Sequence, residues 1–200
     1  MTVAATVAGI GVGVDEVDAR EAALRAAPHV AALPRPNTSG GRQLRRWLTQ
    51  LLVAEKVVAR EAAVLDVRVT DTTPTEADLL PDDTARLEIG SIAAAVLADP
   101  LARAMFEHVT GGIDVEEDTV ADFHRRNPRR FLRLTGAGWR VGSELGLAEA
   151  RPLIVALLRG AARRRGFRMW LDQRRADLVW LAPGYEHPGD PRQPDNTHKH

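Results

Sequence analysis

Cysteine is absent from all 200 residues, which excludes disulfides, thiol catalysis and thiolate metal sites together. An excess of either charge is missing too. Lys plus Arg and Asp plus Glu both number 27, so no overall field draws the chain to nucleic acid or to an anionic membrane. No apolar run is long enough to span a bilayer. The opening Met1-Thr2-Val3-Ala4-Ala5 lacks the charged start and long apolar stretch of a secretory signal, so a cytoplasmic protein is expected. No internal repeat is visible. What is present is a globular composition, 44% hydrophobic and 27% charged, in a chain long enough to bury a substantial core.

The pattern is mainly helical. Residues 3–8 read as a short strand, with Gly9, Gly11 and Gly13 as the turn after it. Asp15 is placed to cap a helix through about Ala26, and Pro28, Pro34 and Pro36 mark a connector. Ser39 is read as the cap of the strongest helix, about 41–65, with Leu44, Trp47, Leu48, Leu51, Leu52, Val58 and Leu65 at helical spacing. A short helix is expected after Thr73-Pro74-Thr75-Glu76, and another from Asp82 or Asp83 through Ala98. Asp99-Pro100 is a cap followed by proline at the first helical position, opening a helix of about 100–110 that Gly111-Gly112 ends. Asp114 is read as capping a helix to about Arg126, stopped by Asn127-Pro128. A glycine-rich loop is expected over 135–146, then a long helix over about 149–175 with Pro152 in its first turn and Ile154, Leu157, Leu158, Ala161, Trp170 and Leu171 inward. Residues 177–181 read as a closing strand. The organisation expected is a helical domain over 1–182 and a proline-rich, histidine-containing tail over 183–200.

Several motifs carry chemistry in principle. In the tail, His198 and His200 stand two apart and would face one way in an extended segment; Glu186 and His187 precede the Pro188-Gly189 turn. A set of Glu186, His187, His198 and His200 suits a divalent zinc, iron, manganese, nickel or copper ion, with positions left open for substrate. A solvated tail is the plainer account of the same residues. Gly9-x-Gly11-x-Gly13 fails the dinucleotide fingerprint, because Val14 follows where the spacing needs two residues and then glycine. Gly90-Ser91 lacks the second glycine of a nucleophile elbow and lies inside an apolar helical pattern, so Ser91 reads as a packing residue. His108 and His124 are lone helical histidines. The clusters Arg125, Arg126, Arg129, Arg130, Arg133 and Arg163–Arg165, Arg168 read as solvated helix faces, because no continuous basic face or base-stacking element accompanies them.

Three stretches, in order, resemble SurA-type parvulin chaperones. They are Val3 to Arg20 with its acidic helix start Val14-Asp15-Glu16-Val17-Asp18, the helix around Leu44-Arg45-Arg46-Trp47-Leu48 leading into Val67-Arg68-Val69, and Val115-Glu116-Glu117 followed by Phe123-His124 and Asn127-Pro128-Arg129-Arg130-Phe131. The ending Phe167-Arg168-Met169-Trp170-Leu171 with Leu178-Val179 is similar to that family's closing helix and strand. The resemblance implies a helical bundle in which the last strand returns to the first. It also marks a departure: fewer than twenty residues separate Phe131 from the closing helix, where the family places a parvulin module of about a hundred. Binding through an apolar crevice, without isomerisation, is what remains.

The expectation is therefore a mainly α, SurA-like helical bundle with a small β-ribbon pairing the N-terminal strand with a C-terminal strand. Its expected role is non-catalytic and chaperone-like, holding an apolar peptide segment or hydrophobic small molecule in a crevice lined by Leu48, Leu52, Met105 and Phe106. The competing expectation is a metal-dependent enzyme acting on a hydrophobic biosynthetic intermediate with the tail as ligand set. A homodimer is compatible with either; nucleic acid and membrane are not expected partners.

Overall fold

The first turn of the chain is set by backbone chirality. Residues Ala8 and Gly9 both take positive φ, +48° and +82°, the geometry of the two-residue hairpin turn whose twist matches flanking strands. The computed structural model, which describes residues 2–26, 33–131 and 145–188, therefore has two strands where one was expected. They are β1 (Val3–Val7) and β2 (Ile10–Gly13). Gly11 and Gly13, read above as turn, belong to β2; Gly11 lies opposite Thr6 and Gly13 opposite Val3. Alanine is a poor occupant of the left-handed region, so Ala8→Asn is expected to stabilise the protein by roughly 0.5–1 kcal/mol in chemical denaturation. A neutral or destabilising result would contradict the turn assignment.

Helix α1 (Val14–Arg25) follows β2 directly, with Gly13 at its cap and Asp15 in its first turn, not capping it. Thr38, not Ser39, caps α2 (Ser39–Val64): the Gly41 N–H donates to Thr38 Oγ1 at 3.1 Å. A β-carbon at Gly41 would stand 2.4 Å from the Arg35 carbonyl oxygen, so only glycine lets the incoming chain cross there. Residues Leu48 through Ala54 of α2 are all buried, as befits a stretch of helix enclosed on every side.

The shorter helices are α3 (Glu76–Leu79), α4 (Asp83–Ile89), α5 (Ser91–Val96), α6 (Pro100–Thr110) and α7 (Glu117–Arg126). The single helix expected through Ala98 is two, because Gly90 takes φ +89° and ψ 153°. That conformation turns α5 so that Ile92, Ala93, Ala94 and Val96 are buried. Asp99 caps α6 as expected, its Oδ1 accepting from the Leu101 N–H at 2.8 Å. Asp114 does not cap α7; its Oδ1 accepts from Val115 N–H, and the helix begins at Glu117. The loop expected over 135–146 lies, as far as residue 144, outside the described residues.

Helix α8 (Leu147–Leu178) has 32 residues and spans about 48 Å at 1.5 Å per residue. Pro152 falls in its second turn because the helix starts earlier than expected. Its C-terminal half joins the main core through Phe167, whose ring packs at a tilt between Phe106 at 5.3 Å and Trp170 at 5.4 Å. Its N-terminal half packs with α7 in a second, smaller cluster of Val120, Phe131, Ala150 and Ile154. After α8, β3 (Val179–Leu181) pairs antiparallel with β1, giving a three-stranded sheet of order β2-β1-β3. The fold is mainly α, and its first strand pairs with its last.

Candidate ligand-binding groove

Strand β1 packs on α2, with Ala5, Val7 and Val12 in the same buried cluster as that helix, and ion pairs hold α1 alongside. Arg20 grips Glu55 through two hydrogen bonds of 3.1 and 2.6 Å, Arg45 pairs with Asp18 at 2.6 Å, and Lys56 with Glu16 at 2.9 Å. These contacts fix the rotation of α2 relative to the hairpin. One consequence is that the face carrying Lys56, Ala59, Arg60, Ala63 and Val64, at intervals of three and four, looks past the turn end of the hairpin.

Between that face and the cross-strand pair Val7–Ile10 runs an open groove of about 460 Å³. Its floor is made of small side chains and its walls of aliphatic ones. Ile10 is 67% exposed and Val64 65% exposed, unusual for residues of this size and adjacent across one groove. The bordering cations are already neutralised. Lys56 lies on Glu16 and holds that carboxyl below the ordinary glutamate value, helped by the Gly13 N–H that also donates to it. Arg60 pairs with Glu61. The groove is thus apolar within and electrically balanced at its rim.

The crevice residues read from sequence are elsewhere. Leu48, Leu52, Met105 and Phe106 are 2%, 7%, 0% and 2% exposed and belong to the main core cluster. None of them lines this groove. Its own alanines, lysine and arginine lie off the apolar stripe of α2 and carry no pattern of large apolar side chains that marks them. The available signal was Ala59 and Ala63 one turn apart beside Val64, a smooth strip on an otherwise polar face.

Of the four expected metal ligands, Glu186 and His187 are described, and His198 and His200 lie outside the described residues. Glu186 turns back on the chain, its Oε2 accepting from the Gly184 N–H at 2.9 Å. His187 borders a second cavity, beside Ser91, Arg168, Asp172 and Arg175. Among the described residues no group of three histidine or acidic side chains is arranged to hold a metal ion. The start of the segment read as a tail is docked on the domain. Arg46 Nε donates to the Gly184 carbonyl and Gln50 Nε2 to the Tyr185 carbonyl, both at 3.0 Å.

The remaining motifs take structural positions. Ser91 Oγ accepts from Trp47 Nε1 at 3.2 Å. His124 Nε2 is 2.9 Å from the Leu145 carbonyl and its ring stacks on Phe131. Arg126 pairs with Asp122 at 2.9 Å, Arg163 with Glu107 at 2.6 Å and Arg164 with Glu88 at 2.8 Å. No helix among the described residues is long and apolar enough to cross a membrane.

The fold and groove define a helical domain closed by a strand from each end, with a ligand-sized apolar channel beside its hairpin. A family model, described as a family of unknown function (DUF7158), matches residues 3–39, which run from β1 to the start of α2. No curated protein and no solved structure matches the chain.

Proposed function

We propose that this chain is a non-catalytic binding protein that holds an apolar polypeptide segment in the groove between the β1–β2 hairpin and the C-terminal half of α2. The observation that carries the reading is the groove's composition: Val7, Ile10, Ala59, Ala63 and Val64 form its surface, and its two cations already have carboxylate partners. A carboxylated lipid or other anionic amphiphile needs a cation left open for its head group; an uncharged stretch of polypeptide does not. The shallow, open shape also favours a chain passing through over a small molecule enclosed on all sides. The resemblance to SurA-type cores is in keeping with this role, and the apolar contact falls on the hairpin and α2 instead of on Leu48, Leu52, Met105 and Phe106.

The test is suppression of aggregation of a chemically unfolded client by the full chain. Protection is expected at stoichiometric excess and is expected to vanish in the Ile10→Asp/Val64→Asp variant, whose thermal melt stays near that of the parent because both side chains are exposed. Absence of protection by the parent, or undiminished protection by the variant, contradicts the reading. Elemental analysis of untagged protein separates it from the metal-dependent alternative built on Glu186, His187, His198 and His200. Stoichiometric metal that is lost in a His198→Ala/His200→Ala variant would favour that alternative.

A further inference from the structure

A second cavity, sharing no residue with the groove, lies between α5 and the C-terminal half of α8. Its volume is about 320 Å³, and its floor is Ile89, Ile92, Ala93 and Leu171, each at most 7% exposed. Polar groups stand around that floor: Arg168, Arg175, Asp172, Ser91 and His187.

The two guanidiniums are incompletely used. Asp172 stands 3.8 Å from the nearest nitrogen of Arg168 and 3.8 Å from that of Arg175, beyond hydrogen-bond reach of both. Among the described residues Arg175 donates one hydrogen bond, to Gln50 Oε1, and its buried Nε–H has no acceptor. Burial pulls this guanidinium below its usual range, with Asp172 opposing the shift, yet arginine at any physiological pH remains a cation. Five N–H donors on each side chain, one carboxylate shared at a distance and a buried aliphatic floor make an unfinished ion pair beside an apolar surface.

We propose that this cavity binds a small organic acid, its single carboxylate bridging Arg168 and Arg175 and its short alkyl body lying on Ile89, Ile92 and Leu171. Charge decides the class of anion. Among the described residues that line the cavity, two arginines against one aspartate leave one positive charge to be met, which suits a monoanion and not a phosphate dianion. The same pair of arginines repels a metal cation. Size decides the rest: the volume is at the lower end of the roughly 300–1,000 Å³ common for ligand sites, so the body is short. A planar carboxylate also matches the fork geometry of guanidinium.

Calorimetric titration of the full chain with sodium hexanoate, acetate and inorganic phosphate tests this. Hexanoate is expected to bind saturably at one per chain, about tenfold or more tighter than acetate because its methylenes reach the floor. Arg168→Gln is expected to weaken hexanoate about tenfold. Arg168 is the variant of choice because its side chain is 56% exposed, so the fold survives its loss, which a thermal melt verifies. Arg175→Lys keeps the charge but not the fork and is expected to weaken binding as well. Val64→Asp, in the other groove, is expected to leave hexanoate binding unchanged, so failure of the peptide-binding reading does not touch this one. The proposal is overturned if hexanoate shows no saturable binding, if Arg168→Gln binds it as the parent does, if Val64→Asp abolishes it, or if phosphate binds more tightly than hexanoate.

Discussion

Truncating Phe167 to alanine is expected to lower the stability of the protein by roughly 3–5 kcal/mol, the range for removing a fully buried aromatic ring. Phe167 has no exposed surface and sits between Phe106 and Trp170, so its ring is what fastens the C-terminal half of α8 to α6. The neighbours cannot easily close the void. Phe106 is already covered by the Arg163 guanidinium at 5.1 Å, and α8 is one continuous helix held at both ends by separate clusters. A loss of this size is a large share of the 5–15 kcal/mol typical of a folded domain. Urea denaturation provides the measurement, with Met169→Ala as control; Met169 is 65% exposed and its truncation belongs within about 0.5 kcal/mol of the parent. A cost below about 1 kcal/mol for Phe167→Ala would mean that α8 does not dock through this ring.

Gln50→Leu is the second large effect, expected at roughly 2–4 kcal/mol in the same measurement, from two partly buried groups left without partners at about 1–2 kcal/mol each, the lower part of the range for full burial. Gln50 is wholly buried. Its Oε1 accepts from Arg175 of α8 and its Nε2 donates to the Tyr185 carbonyl, so one amide joins α2, α8 and the segment after β3. Leucine has similar bulk, so the cavity contribution is small and the polar loss is isolated. Gln50→Glu restores an acceptor for the Arg175 cation while losing the donor to Tyr185, and is expected to be less costly than leucine. Equal losses in the two variants would argue that Arg175 draws nothing from this contact.

The places where sequence and structure part company follow one physical rule. Local signals with a chemical cause were legible: Asp99-Pro100 opens α6, Asn127-Pro128 closes α7, and the apolar stripe from Leu48 to Val58 is the central helix. Gly90 gives no sign of a break in the sequence, because apolar residues continue on both sides of it, and only the backbone angle reveals the change of direction. Strand β2 is not legible in the sequence, because glycines occupy two of its four positions and leave too few side chains to display an alternation. The pairing of β1 with β3 came from family resemblance, not from any local pattern. The groove was the hardest to see. A sequence marks apolar residues but not which of them the fold leaves uncovered, so Leu48, Leu52, Met105 and Phe106 stood out by size although they are core. Ala59 and Ala63 carry little apolar surface individually and become a binding floor only when the hairpin brings Val7 and Ile10 opposite.

Because the chain contains no cysteine, a single Val64→Cys substitution gives one attachment point for an environment-sensitive fluorophore on the groove wall. Titration with an unfolded, apolar client is expected to shift the emission of this label to the blue and to saturate. The same label at Leu87→Cys, on α4 and 82% exposed, is expected to be unaffected. An unchanged spectrum at position 64, or equal shifts at both positions, would contradict binding between the hairpin and α2.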